Sequence, residues 1–137
     1  MRIRIIILLG ALAACSADPY DPALGPRNPR PAAELYLSSR TDIADPDKKA
    51  LLDFQPCSLN VLKALSEAPE REIRSLVAAN PSADESILTQ LSSDQEPAVR
   101  QYVASNPVTP ARILARLAAD PNENVRWQVT NRKSQKP

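Results

Sequence analysis

The chain has 137 residues, enough for one small domain. It holds no His, 2 Gly and 4% aromatic residues. That excludes the commonest general base and zinc ligand, glycine-built phosphate loops and aromatic platforms for single-stranded nucleic acid. A formal charge of +1 leaves no general basic field for a polyanion.

Arg2 and Arg4 precede a ten-residue apolar run, 5–14, interrupted only by Gly10. As a helix this run covers ~15 Å, half a bilayer core, which is too short to span a membrane and fits the apolar region of a signal peptide over 1–14. The run ends on Leu12-Ala13-Ala14-Cys15. This motif resembles the lipobox of bacterial lipoproteins. The resemblance implies cleavage after Ala14, a diacylglyceryl group on the Cys15 thiol and an acylated new amine. Two or more chains anchor stably where one is marginal. Ser16 rather than Asp in the next position implies sorting to the outer membrane, facing the periplasm. Removing Arg2 and Arg4 from 17 cationic residues against 16 acidic ones leaves a mature net charge of −1. Cys57 is then the remaining thiol, either a small buried residue or an intermolecular link.

Five prolines fall within 16–31: Pro19, Pro22, Pro26, Pro29 and Pro31. Each fixes its own φ and restricts the residue before it, so this tether is expected to be extended, close to polyproline II, with a reach of ~50 Å. Residues 32–56 read as a degenerate helical cap. One helix is expected over 32–40 behind Pro31, and a second follows Asp45-Pro46, at imperfect spacing from the units that come next.

Those units dominate the chain. Compared with itself at an offset of 26, the sequence aligns without gaps over 57–81, 83–107 and 109–133. Val61, Ile87 and Ile113 form one column. Leu62, Leu88 and Leu114 form the next, followed by Leu65, Leu91 and Leu117. Ile73, Val99 and Val125 match, as do Arg74, Arg100 and Arg126, and then Val77, Val103 and Val129. Asn80-Pro81 and Asn106-Pro107 punctuate the first two units. Apolar residues at i, i+1 and i+4 predict a first helix, and Val99, Tyr102 and Val103 at i, i+3 and i+4 a short second one. Thr109-Pro110 reads as an N-cap with Pro at the first helical position, and Ser82-Ala83-Asp84-Glu85 as a capping box. Asn-Pro ends the second helix. A helix pair of this size cannot bury its own apolar face, whereas stacked pairs can, so the predicted fold is all-α: an α-solenoid of three two-helix repeats over 57–132, with a basic, frayed tail from Asn131.

The stretch 106–126 resembles the variant leucine-rich repeat, a family related in architecture to HEAT and armadillo repeats. The resemblance implies a right-handed superhelix in which a longer helix alternates with a shorter one. One branch of that family carries an iron–sulphur cluster on a Cys-rich segment. A lone Cys57 departs from that pattern, so no cofactor and no metal are expected.

Without His, and with carboxylates that follow the repeat, no enzyme is expected and no small-molecule substrate is evident. Asp94 and Asp120 read as helix N-caps. The column of Arg74, Arg100 and Arg126 reads either as a structural ladder, each Arg bonding an Asp or Asn of its own or a neighbouring unit, or as a basic strip facing an acidic partner. Trp127 stands where the other units have Ser75 and Gln101, one residue past the Arg column. It is expected to point away from Val125 and Val129, as a shield over the end of the array or as a partner contact. Two functions remain. One is a lipid-tethered scaffold that binds an envelope protein. The other is a passive envelope component touching peptidoglycan or membrane. The address and the charge argue against nucleic acid.

Overall fold

The computed structural model describes residues 20–21, 25–26 and 30–132. The signal segment 1–14, Cys15 and the tail 133–137 lie outside the described residues. Among the described residues the fold is eight helices with a two-residue strand pair ahead of them. The helices are α1 (Arg30–Ser39), α2 (Asp45–Leu52), α3 (Leu59–Leu65), α4 (Arg71–Ala79), α5 (Glu85–Leu91), α6 (Pro97–Ser105), α7 (Ala111–Leu117) and α8 (Glu123–Arg132). None of them is long and apolar enough to cross a membrane.

The strands, β1 (Tyr20–Asp21) and β2 (Gly25–Pro26), pair antiparallel, with Tyr20 opposite Pro26. The described part of the tether is thus extended locally but turns back on itself, and β2 lies beside α6. The helix expected from residue 32 begins two residues earlier, at Arg30.

The three repeats fold as the period requires. Each is a pair, α3 with α4, α5 with α6 and α7 with α8. The second helices α4, α6 and α8 lie side by side and provide most of the packing between units, while α1 and α2 close on α4. One apolar cluster runs from Ala33 to Val129 without a break. It takes Leu62, Leu65, Leu88, Leu91 and Leu117 from the first helices, and Ile73, Val77, Val99, Val103 and Val125 from the second. Leu114 and Val61, columns read as core, are only partly buried. Leu114 lies in the third unit, with no further helix pair beyond it among the described residues.

The helix starts differ from the sequence reading. Asp84, not Ser82, caps α5, its carboxylate accepting from the Ile87 N–H at 2.9 Å. Thr109 does not cap α7. Its hydroxyl turns inward and donates to the Val103 carbonyl at 2.6 Å, and Pro110 takes the N-cap place. Pro107, four residues after Val103, has no N–H to give, so the Val103 carbonyl has only a 3.3 Å bond from the Asn106 N–H, and the Thr109 hydroxyl completes it.

At the end of α2, Phe54 sits at φ 53°, in the left-handed region that usually calls for Gly. The Gln55 N–H reaches the Ala50 carbonyl and the Phe54 N–H the Leu51 carbonyl, which is the Schellman pattern of helix termination. The turn aims the Gln55 carbonyl at the first repeat, where the Asn80 amide donates to it at 2.8 Å. Cys57 is buried and free. Its sulphur lies 3.6 Å from an Asp47 carboxylate oxygen. Burial, with the nearby Asp47 charge, pushes the thiol up to about 11, so it stays protonated at neutral pH.

Candidate functional site

Two polar ladders tie the repeats together, and the end of one of them forms the site. The first ladder runs through the Arg column. Arg74 lies in α4, and its Nε and NH2 fork the Asp94 carboxylate of the following unit at 2.7 and 3.1 Å. Arg100 in α6 does the same to Asp120, at 2.8 and 2.9 Å. In each case NH1 turns back to its own unit. Arg74 NH1 donates to the Ala68 and Pro69 carbonyls, and Arg100 NH1 to those of Asp94 and Gln95. The planar guanidinium suits this, because one edge matches a carboxylate while the remaining amine is free for a carbonyl.

This geometry revises the reading of the Asp residues. Asp94 and Asp120 are not N-caps. Glu96 holds the N-cap place of α6. Asp94 instead accepts from the Glu96 N–H at 2.9 Å, and Asp120 from the Asn122 N–H at 2.8 Å, each closing a turn two residues long before its helix. The turn orients the carboxylate toward the Arg of the unit before. Ala68 occupies the same place in the first repeat at no cost, because Arg74 uses only its carbonyl. The Arg that would need a carboxylate there is absent: Lys48 stands one period before Arg74 and pairs with Asp45 instead.

The second ladder was read only as punctuation. Asn106 is buried, and its amide donates to the Ala78 and Asn80 carbonyls of the unit before, at 2.7 and 2.9 Å. Its carbonyl oxygen accepts from the Val108 N–H. Arg132 takes the Asn place in the third unit. Its NH1 reaches the Ala104 and Asn106 carbonyls at 3.0 and 2.5 Å, and NH2 the Pro107 carbonyl at 2.8 Å. Asn131 and Arg132 are therefore helical rather than a frayed tail. The shared spacing of 26 was the available signal, hidden by the change from Asn to Arg.

Arg126, in α8, is the last rung of the Arg column. Its NH1 is fixed as in the other units, donating to the Asp120 and Pro121 carbonyls at 2.6 and 2.9 Å. Among the described residues nothing holds its Nε and NH2, the edge that forks a carboxylate in the interior rungs. Trp127 lies beside it, 50% exposed. Its counterparts Ser75 and Gln101 are 3% and 4% exposed. This column is therefore not an outward polar position, as the sequence suggested, but one that the next unit covers. Arg74 and Arg100 are spent on the ladder, and of the candidate contact residues only Arg126 and Trp127 stand open together.

An open groove of about 570 Å³ lies between the first two repeats, beside the Arg74–Asp94 rung, lined by Glu67, Pro69, Gln90 and Glu96 among others. Of its carboxylates, Asp94 is held by Arg74 and Glu96 by Arg71 at 3.6 Å. Among the described residues no group of His, Cys, Asp and Glu could hold a metal ion.

The family model for the leucine rich repeat variant matches residues 97–122. The match spans one 26-residue period, from the start of α6 to the turn before α8, and overlaps the stretch that carried the resemblance. No curated protein and no solved structure matches the chain.

Proposed function

We propose that this protein is a lipid-anchored scaffold of the bacterial envelope. In this reading Cys15 carries the lipid, the Pro-rich stretch sets the distance to the membrane, and the helical repeats bind another protein. The observation that carries the binding role is the last rung: an Arg126 guanidinium already oriented by two carbonyls, with its carboxylate-binding edge free, next to a half-exposed Trp127. Trp and Arg are the residue types most enriched in interface hot spots. The anchor rests on the basic residues, apolar run and lipobox of 1–15.

Two results test it. Cys15→Ser should leave uncut precursor that no longer partitions with membranes. Processing and membrane association that survive this change would remove the anchor from the account. For binding, the lipidated protein should retain a stoichiometric partner when captured from cross-linked membranes. Trp127→Ala should weaken that capture by ~2 kcal/mol or more. The fold should change by no more than ~0.5 kcal/mol, since the side chain is half in water. A Trp127→Ala protein that melts much earlier yet captures normally would make the residue a shield and not a contact.

A further inference from the structure

We propose that the partner at this end is a second copy of the same chain, with Arg126 of one molecule forking the Asp42 carboxylate of the next. The inference rests on reading the last rung as a contact surface, and it names what that surface meets.

The interior rungs define what the open edge accepts: an Asp carboxylate, presented from a loop just before a second helix, at 2.7–3.1 Å from Nε and NH2. Asp42 is the residue that the period places there. It stands two periods of 26 before Asp94 and three before Asp120, in the loop between α1 and α2. Its side chain is 61% exposed, and Arg40, two residues away, is its present partner. An ion pair that open to water adds little to stability, so exchanging one guanidinium for another is cheap.

The surroundings add to the contact. Asp47 lies in the first turn of α2, five residues past Asp42, while Asp45 there is paired with Lys48. On the same helix pair Leu35 is 77% exposed, an apolar counterpart for Trp127. The contact joins two different surfaces, so it is heterologous and can propagate beyond a dimer. The NH1 contacts already hold the Arg126 guanidinium, so docking orders one side chain fewer.

Sedimentation velocity of the purified protein over rising concentration tests this, with the emission of Trp127, the chain's single Trp, as second readout. Mass should rise with concentration, the emission should shift to the blue, and added salt should weaken both. Arg126→Asp and Asp42→Arg should each weaken self-association by about 30-fold or more. Mixed in equal amounts, the two variants should associate again, because one retains Asp42 and the other Arg126, and the two exchanged charges also oppose each other. Circular dichroism and melting establish that each variant is folded, and Asp42→Asn replaces Asp42→Arg if the latter melts early. A wild type that stays monomeric, or a variant mixture that stays monomeric, overturns the proposal. Capture of a different protein from membranes is scored separately, so the two readings fail independently.

Discussion

Leu91→Ala is expected to destabilise the fold by ~2–5 kcal/mol, the cost of truncating a buried Leu in a core that cannot collapse around the gap. Leu91 is 1% exposed and lies at the end of α5, in the central repeat. Units on both sides hold it in place, and the packing between α4, α6 and α8 fixes the spacing of those units. A solenoid transmits little strain beyond its nearest neighbours, so few distant contacts compensate. For a domain of this size each 1 kcal/mol shifts the melting temperature by roughly 4–8 °C, so the change should be read easily. Leu114→Ala should cost clearly less, because the same Leu column is only partly covered in the third unit. Chemical denaturation of both variants measures the difference. Equal losses would mean that coverage by a following unit does not govern the core, and an unchanged midpoint for Leu91→Ala would remove the 26-residue columns as its basis.

The apolar columns could be read from sequence because burial repeats with the helix pair. Ile73, Val99 and Val125 are buried for one reason three times over, and a self-comparison exposes that. The polar contacts were harder. An Asp before a helix has the same sequence signature whether it caps that helix or turns two residues earlier to face another unit. Nothing local to Asp94 reveals Arg74, 20 residues before it. Thr109 looked like a cap for the same reason, and only the buried Val103 carbonyl explains its inward turn. Asn106 was legible as a stop signal through Pro107. Its amide bonds to Ala78 and Asn80 depend on how closely two units approach, which the sequence does not state. Helical spacing turned Trp127 away from Val125 and Val129, and it is half exposed, but the burial of its counterparts Ser75 and Gln101 depends on the position of the next unit, which spacing does not state.

The Arg100–Asp120 rung carries the second large effect. Asp120→Ala should cost about 3 kcal/mol, chiefly because it strands the Arg100 guanidinium in a mostly covered site with two donors unmet. The side chains are 11% and 5% exposed, so water replaces the carboxylate poorly. Acid should remove the same contribution from the wild type. Burial by itself would raise the Asp120 carboxyl, but the hydrogen bonds from Arg100 and the Asn122 N–H, with the Arg100 and Arg126 charges, outweigh it and hold the group below its ordinary value. A carboxyl depressed in the folded state contributes in full above its ordinary value and loses that contribution as pH falls through the folded one. Denaturation midpoints of wild type and Asp120→Ala should therefore stand furthest apart at neutral pH and converge below about pH 4. Asp120→Asn keeps the turn to Asn122 and loses the charge, so it isolates the ion pair. If Asp120→Asn matches the wild type at neutral pH, the carboxylate serves only the turn. The open edge of Arg126 then loses its claim to be built for a carboxylate.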